Sequence, residues 1–243
     1  MSKLRFKTGI LVFVAYMALA AICAASPGPQ AGGDIKSLIS QLDEHYSGFE
    51  KVMRSVEIHS HITGPSGQVM EQVIYWKGKK LRVESGPKQQ MAGGAAPEDL
   101  FVYNGREAWV FTPQGKHQLT GKDLQDFETG RSWWWTTLTP QAKITGQETV
   151  NGRDCYVIEP PSGYRMWIDK NALVIVKSES PGPEGKKSYT VYSDFRKVKG
   201  WDIPFKQEMF IGSQPVSVSV TDSFEAGKDL PDSLFEPGNV RGY

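Results

Sequence analysis

His59 and His61 stand two residues apart in VEIHSHI, with Glu57 two residues ahead of them. In a β-strand that spacing puts all three side chains on one face, where two imidazoles can approach one metal ion. No third His or Cys follows at ligand spacing, and His45 and His117 lie elsewhere in the chain. The expectation is a solvated polar strand face, and no metal or cofactor. Nucleophile chemistry is no better supported. No Gly-x-Ser-x-Gly elbow is present, and the serines of VSVSV fall on the wet side of an alternating strand. The adjacent carboxylates Glu98 and Asp99 sit in a loop. No glycine-rich turn follows a strand and opens a helix to cradle phosphate. No catalytic residue is assigned. The most unusual local feature is Trp133-Trp134-Trp135 with Arg131 beside it. Three consecutive side chains cannot share one face, so at least one is expected at a surface, a pocket mouth or a membrane interface.

The elements that must position these residues begin with an export signal. KLRFK precedes an apolar run from Ile10 to Ile22 and a small-residue stretch, CAAS. A basic start, a short apolar run and small residues at a cut site describe a secretory signal peptide, here residues 1–25, cut after Ala25. A leader over 26–34 then precedes one folded domain over 35–243. Cys23 leaves open a lipid anchor, although Ile22 replaces the small residue that normally precedes a lipidated cysteine. Cys155, in CYVIEP, is then the one remaining cysteine and reads as a buried small hydrophobe. Of the 28 basic residues Lys3, Arg5 and Lys7 lie in the signal, leaving 25 against 27 acidic ones. Nothing in that balance suggests nucleic acid, and none is expected as a partner.

Ile35, Leu38, Ile39, Leu42, Tyr46, Phe49 and Val52 recur at helical spacing, with Asp34 as N-cap. The period then changes to two. Alternating segments separated by turns, two of them at Asn104-Gly105 and Asn151-Gly152, predict about eleven antiparallel strands in a meander. The fold class is mainly β with few helices. Leu119 to Pro140 is expected to be helical in part, burying Leu124, Phe127 and Trp134. DLPDSLFEPG reads as a closing turn.

One apolar sheet face is expected to carry Val56, Ile58, Ile62, Val69, Val73, Leu81, Val83, Val216, Val218 and Val220. Trp109, Phe111, Met166 and Ile168 join it as candidate pocket residues. Such a half-wet sheet must be covered on one side. The N-terminal helix and the tryptophan segment are the available covers. They either fill the face or act as a lid over an apolar cavity in an unclosed antiparallel β-barrel.

The order of several motifs resembles the LolA/LolB-like family of outer-membrane lipoprotein carriers. They are VEIHSHITGPSGQVMEQVIYWKG after the first helix, LFVYNGREAWVFTPQGKHQLT, VNGRDCYVIEPP, MWIDKNALVIVKSE and WDIPFKQEMFIG with LPDSLFEP. The resemblance implies an unclosed barrel with a helical lid over a cavity that takes the acyl chains of a lipoprotein. It also implies a functional arginine near Gly78, but this chain reads YWKGKKL, and Lys79 and Lys80 are not its equivalents. The expected function is a periplasmic lipid or lipoprotein carrier, not an enzyme. Its partners would be acyl chains and a membrane-bound donor or acceptor. The alternatives are a sensor module of the same fold that binds an envelope protein, and a packed structural protein.

Overall fold

The computed structural model describes residues 34–92, 96–161 and 163–239. The expected signal peptide, its cut at Ala25, Cys23 and the leader up to Gly33 lie outside the described residues. Asp34 Oδ1 accepts the Lys36 N–H at 3.1 Å and caps α1 (Ile35–His45), whose Leu38 and Leu42 are buried. The apolar stripe predicts one helix through Val52. The chain instead breaks at Gly48, where φ is +81°, and resumes as the short α2 (Phe49–Val52). Glycine reaches that left-handed conformation without the penalty a Cβ imposes.

Thirteen strands follow among the described residues, against about eleven expected. The first six are β1 (Ser55–Thr63), β2 (Val69–Lys77), β3 (Lys80–Pro87), β4 (Asp99–Tyr103), β5 (Ala108–Thr112) and β6 (Gly115–Leu119). A helical turn, α3 (Lys88–Ala92), separates β3 from β4. Then come α4 (Gly121–Thr129) and a 3-10 turn at Trp134–Thr137. The second run is β7 (Lys143–Val150), β8 (Arg153–Glu159), β9 (Arg165–Asp169), β10 (Ile175–Pro181), β11 (Lys187–Val198), β12 (Trp201–Ile211) and β13 (Gln214–Ala226). The sequence reading gives β6 no strand of its own because GKHQL is polar and does not alternate. It is an edge strand, where polar side chains discourage pairing with a further strand.

All thirteen strands form one antiparallel sheet in the order β6-β5-β4-β3-β2-β1-β13-β12-β11-β10-β9-β8-β7. The chain enters at the middle, meanders out to β6, crosses to β7 and meanders back until β13 pairs with β1. The sheet is unclosed, because β6 and β7 are its two edges. It is also curled. Flat, its strand spacing would make it roughly 58 Å wide. Yet Phe101 and Val110 near one edge share a single core cluster with Ile144 and Ile158 near the other.

Two smaller apolar clusters lie on the opposite, outer face. One holds Leu100, Val102 and Phe111 with Trp109, and the other holds Cys155, Val157, Trp167, Val174 and Val176. Burial pushes the Cys155 thiol up to about 11. The closing segment is tied to the β2–β3 hairpin. Lys77 Nζ donates to Leu230 O at 2.6 Å and Arg82 Nη1 to Leu234 O at 3.1 Å. Lys77 and Lys80 also flank Asp232 and hold its carboxyl below the ordinary range. Phe235 is fully buried. Among the described residues no helix is long and apolar enough to cross a membrane.

Asp169 secures the turn between β9 and β10. Its Oδ1 accepts the Asn171 and Ala172 N–H groups, each at 2.8 Å, and its Oδ2 meets Arg153 Nη1 at 2.8 Å. Burial alone would raise this carboxyl. The hydrogen bonds from Ala172, Arg153 and Asn171 outweigh burial and hold it below the ordinary value. A folded-state pKa lowered this way adds stability above the unfolded pKa, and that stability is lost as pH falls through the folded value. Asp169→Ala is expected to cost about 2–3 kcal/mol at neutral pH. Urea unfolding across the acid range should show this deficit shrinking as pH falls; a deficit independent of pH would refute the account.

Candidate functional site

Cross-strand partners share a sheet face, so the register assigns each residue to one side. The inner face carries two apolar rows. One runs Ala108, Tyr103, Leu81, Trp76, Val56, Ala226. The next runs Val110, Phe101, Val83, Ile74, Ile58, Phe224. Of the expected pocket residues, Val56, Ile58, Leu81, Val83, Leu124, Phe127, Trp134, Met166 and Ile168 lie in this cluster or pack against it. Ile62 shares the inner face, opposite Met70 and Ser219.

Five candidates are placed elsewhere. Val73 pairs with His59 and Glu84 and belongs to the outer face. Trp109 and Phe111 pair with Val102 and Leu100 in an outer cluster. Val218 and Val220 pair with Thr63 and His61, also outward. A bulge explains the last two. His59 opposes Ser223 but Ser60 opposes Thr221, so Asp222 is the extra residue. The residues of β13 from Thr221 back to Ser217 therefore shift face, turning Ser219 and Thr221 inward in place of the valines. Val216 falls at a second irregularity, between Ser217 opposite Met209 and Pro215 opposite Phe210.

The crossing from β6 to β7 covers the first inner row. Tyr46 stacks on Trp135 with ring centres 3.9 Å apart, Trp135 on Trp133 at 5.5 Å, and Trp133 on Trp76 at 5.6 Å. Phe49 packs edge-on against Trp133, Trp135 and Trp201. Trp134 meets Tyr46 and Trp135 edge-on, so all three tryptophans join one aromatic assembly. Trp135 is buried, and Trp133 and Trp134 are half-buried. Phe127 on α4 packs against Phe101 and Tyr103.

Polar contacts fix this cover. Tyr46 Oη donates to Leu173 O at 3.1 Å, and Trp201 Nε1 donates to His45 O at 3.0 Å. Burial holds the Tyr46 hydroxyl well above its ordinary pKa, so it remains a donor. Arg131 lies over the rings of Trp76, Tyr103 and Phe127, and its Nη1 donates to Lys79 O at 2.6 Å. Burial lowers its guanidinium to about 10, which leaves it charged at neutral pH. Tyr103 Oη donates to Glu128 at 2.5 Å; burial first, then Glu128, pushes its hydroxyl up to about 12. The sequence reading does not anticipate Tyr46, Trp76 or Trp201 as partners of the tryptophans. The available signals are the α1 stripe and the Ile74-x-Trp76 alternation.

Each histidine of VEIHSHI has an acidic partner. His59 Nε2 lies 2.7 Å from Glu57, which also binds Lys228 at 2.7 Å, and His61 Nδ1 lies 3.0 Å from Asp222. Among the described residues, no three His, Cys, Asp or Glu side chains group as metal ligands. An open depression of about 590 Å³ is lined by Val198, Phe205, Phe224 and Ala226 together with Arg196, Lys197, Lys199 and Glu225.

Because the cover is held by ring stacking and Arg131, its loss should be measurable. Trp135→Ala is expected to cost about 3–5 kcal/mol in urea unfolding. Arg131→Lys should cost about 1–2 kcal/mol, since an ammonium cannot lie flat against three rings and reach Lys79 O. A neutral result for both would show that the cover does not hold the fold together.

No protein-family model matches the chain, and no curated protein matches it at a significant level. Solved structures do match in fold. A LolA superfamily protein from Nitrosomonas europaea aligns with a TM-score of 0.58 at 19% identity, over 85% of this chain and 99% of that one. A domain assigned to outer membrane lipoprotein sorting, from Vibrio parahaemolyticus, aligns at 0.57 and 12% identity, over 84% and 97%. A DUF1329 family protein from Desulfovibrio piger aligns at 0.57 and 13% identity, over 86% and 100%. Over most of the chain, the unclosed antiparallel sheet thus has the fold of a LolA superfamily structure and of a domain assigned to lipoprotein sorting.

Proposed function

We propose that this protein is an exported lipid or lipoprotein binder that shields acyl chains on its inner face and works by burial, not bond chemistry. One observation carries the reading. The gap between β6 and β7 is spanned by α4 and the tryptophan turn, which cover apolar rows without pairing to either edge. That cover can separate from the inner face without breaking a strand ladder. Apolar surface beneath a movable cover suits a flexible hydrocarbon chain. Burying acyl chain yields about 0.8 kcal/mol per methylene, offset by the cost of parting the aromatic assembly. Release then requires a receiver with a better apolar site. The fold shared with a domain assigned to lipoprotein sorting supports this reading, as does the signal-like start of the chain.

A fluorescent acyl probe added to the purified protein is expected to bind and to be displaced by a synthetic acylated lipopeptide. Mass spectrometry of solvent extracts from the native protein should find lipid. A folded sample that neither binds the probe nor carries lipid would refute the carrier reading. A defined protein co-purifying without lipid would favour a sensor.

A further inference from the structure

A third transverse row on the inner face breaks the apolar pattern. Ser85, Gln72, Ser60 and Thr221 are successive cross-strand partners on β3, β2, β1 and β13. Their exposures are 4%, 1%, 0% and 8%. The row lies between two apolar neighbours, Val83-Ile74-Ile58 on one side and Pro87-Met70-Ile62 on the other. Gln72 Nε2, Gln72 Oε1 and Ser60 Oγ make no hydrogen bond within the protein. Buried polar groups are normally paired, and replacing them with apolar residues of similar size would stabilise the fold. A buried amide and a buried hydroxyl side by side, both unpaired, are therefore groups held ready for a partner that is not part of this chain.

The chemistry of the row limits that partner. Gln72 offers one amide donor group and one acceptor, and the Ser60 hydroxyl does either. No basic residue stands in this row or in the flanking partners just named, so an anionic group would find no counter-charge. Asp99, which opposes Ser85 at the end of the row, adds an acidic side chain. Resting on the acyl-binding reading above, we infer that Gln72 and Ser60 bind the uncharged polar junction of an acyl lipid. The ester or amide carbonyl and an adjacent hydroxyl or N–H meet the row, and the hydrocarbon lies on the flanking apolar rows. The same site rejects a free fatty-acid carboxylate, which would be buried without a cation.

Displacement of a fluorescent acyl probe by monopalmitoylglycerol and by palmitate, at a pH well above the carboxyl range, tests this at equal chain length. The native chain is expected to prefer the ester by about tenfold or more. Gln72→Leu should bring the two competitors within about twofold of each other while raising the unfolding temperature by a few degrees, on the order of 3 °C. Ser60→Ala, a smaller change, should move the preference the same way. Equal affinity for ester and carboxylate in the native chain, or a preference intact in both variants, overturns the inference and leaves acyl binding standing. No displacement by either competitor overturns the acyl-binding reading, and this inference with it.

Discussion

The structure depends on the stack that runs from Tyr46 through Trp135 and Trp133 to Trp76. It joins three parts of the chain that no strand ladder connects: the end of α1, the crossing between β6 and β7, and the middle of the sheet. Without it, the crossing would be a long connection between two unpaired edges. With it, the sheet's open seam is covered by aromatic area, which contributes more per residue than any other side-chain type. Arg131 extends the stack and hydrogen-bonds the β2–β3 hairpin at Lys79. The hairpin in turn holds the closing segment through Lys77, Lys80 and Arg82. Cover, sheet and C-terminal turn are thus coupled through one hairpin.

A cover held by side chains alone differs from a closed barrel. Ladder bonds between β6 and β7 would make the interior permanent. Here stacked rings and the Arg131 guanidinium hold the cover, with no ladder bond to either edge. The price is a sheet with two edges, which the protein protects with polar β6 and with a register shift in β7 between Ile144 and Gly146.

The inner face is divided into zones. Nearest the cover it is aromatic and aliphatic. One row further it becomes buried polar, at Gln72 and Ser60, and beyond that Ser219, Gln207 and Tyr192 continue the polar character along β13, β12 and β11. Tyr192 and Ser178 lie 3.2 Å apart, oxygen to oxygen, so the β11 end of the band is paired, while Gln207 Oε1 between them and Ser219 makes no hydrogen bond. The contrast between paired Tyr192 and unpaired Gln72 marks where stability has been given up.

Much was legible in the sequence, because local chemistry controls it. Asp34 as a cap, the helix-to-strand change of period after Val52, the turns at Asn104 and Asn151, the partly helical crossing and the antiparallel meander all follow from residue type and spacing, whereas the unclosed sheet is what the family resemblance implies. The side on which a residue falls did not follow. Met70, Ile74 and Trp76 alternate with Val69, Val73 and Tyr75, so β2 presents two apolar faces of similar strength, and only pairing with Val56 and Ile58 selects one. In β13 a single extra residue, Asp222, exchanges valines for serine and threonine on the inner face. The meeting of Tyr46 with Trp135, 89 positions along the chain, is likewise beyond any local pattern. Period and turn chemistry act over a few residues, whereas register, bulges and ring stacking are contacts between distant segments that exist only once the sheet has curled.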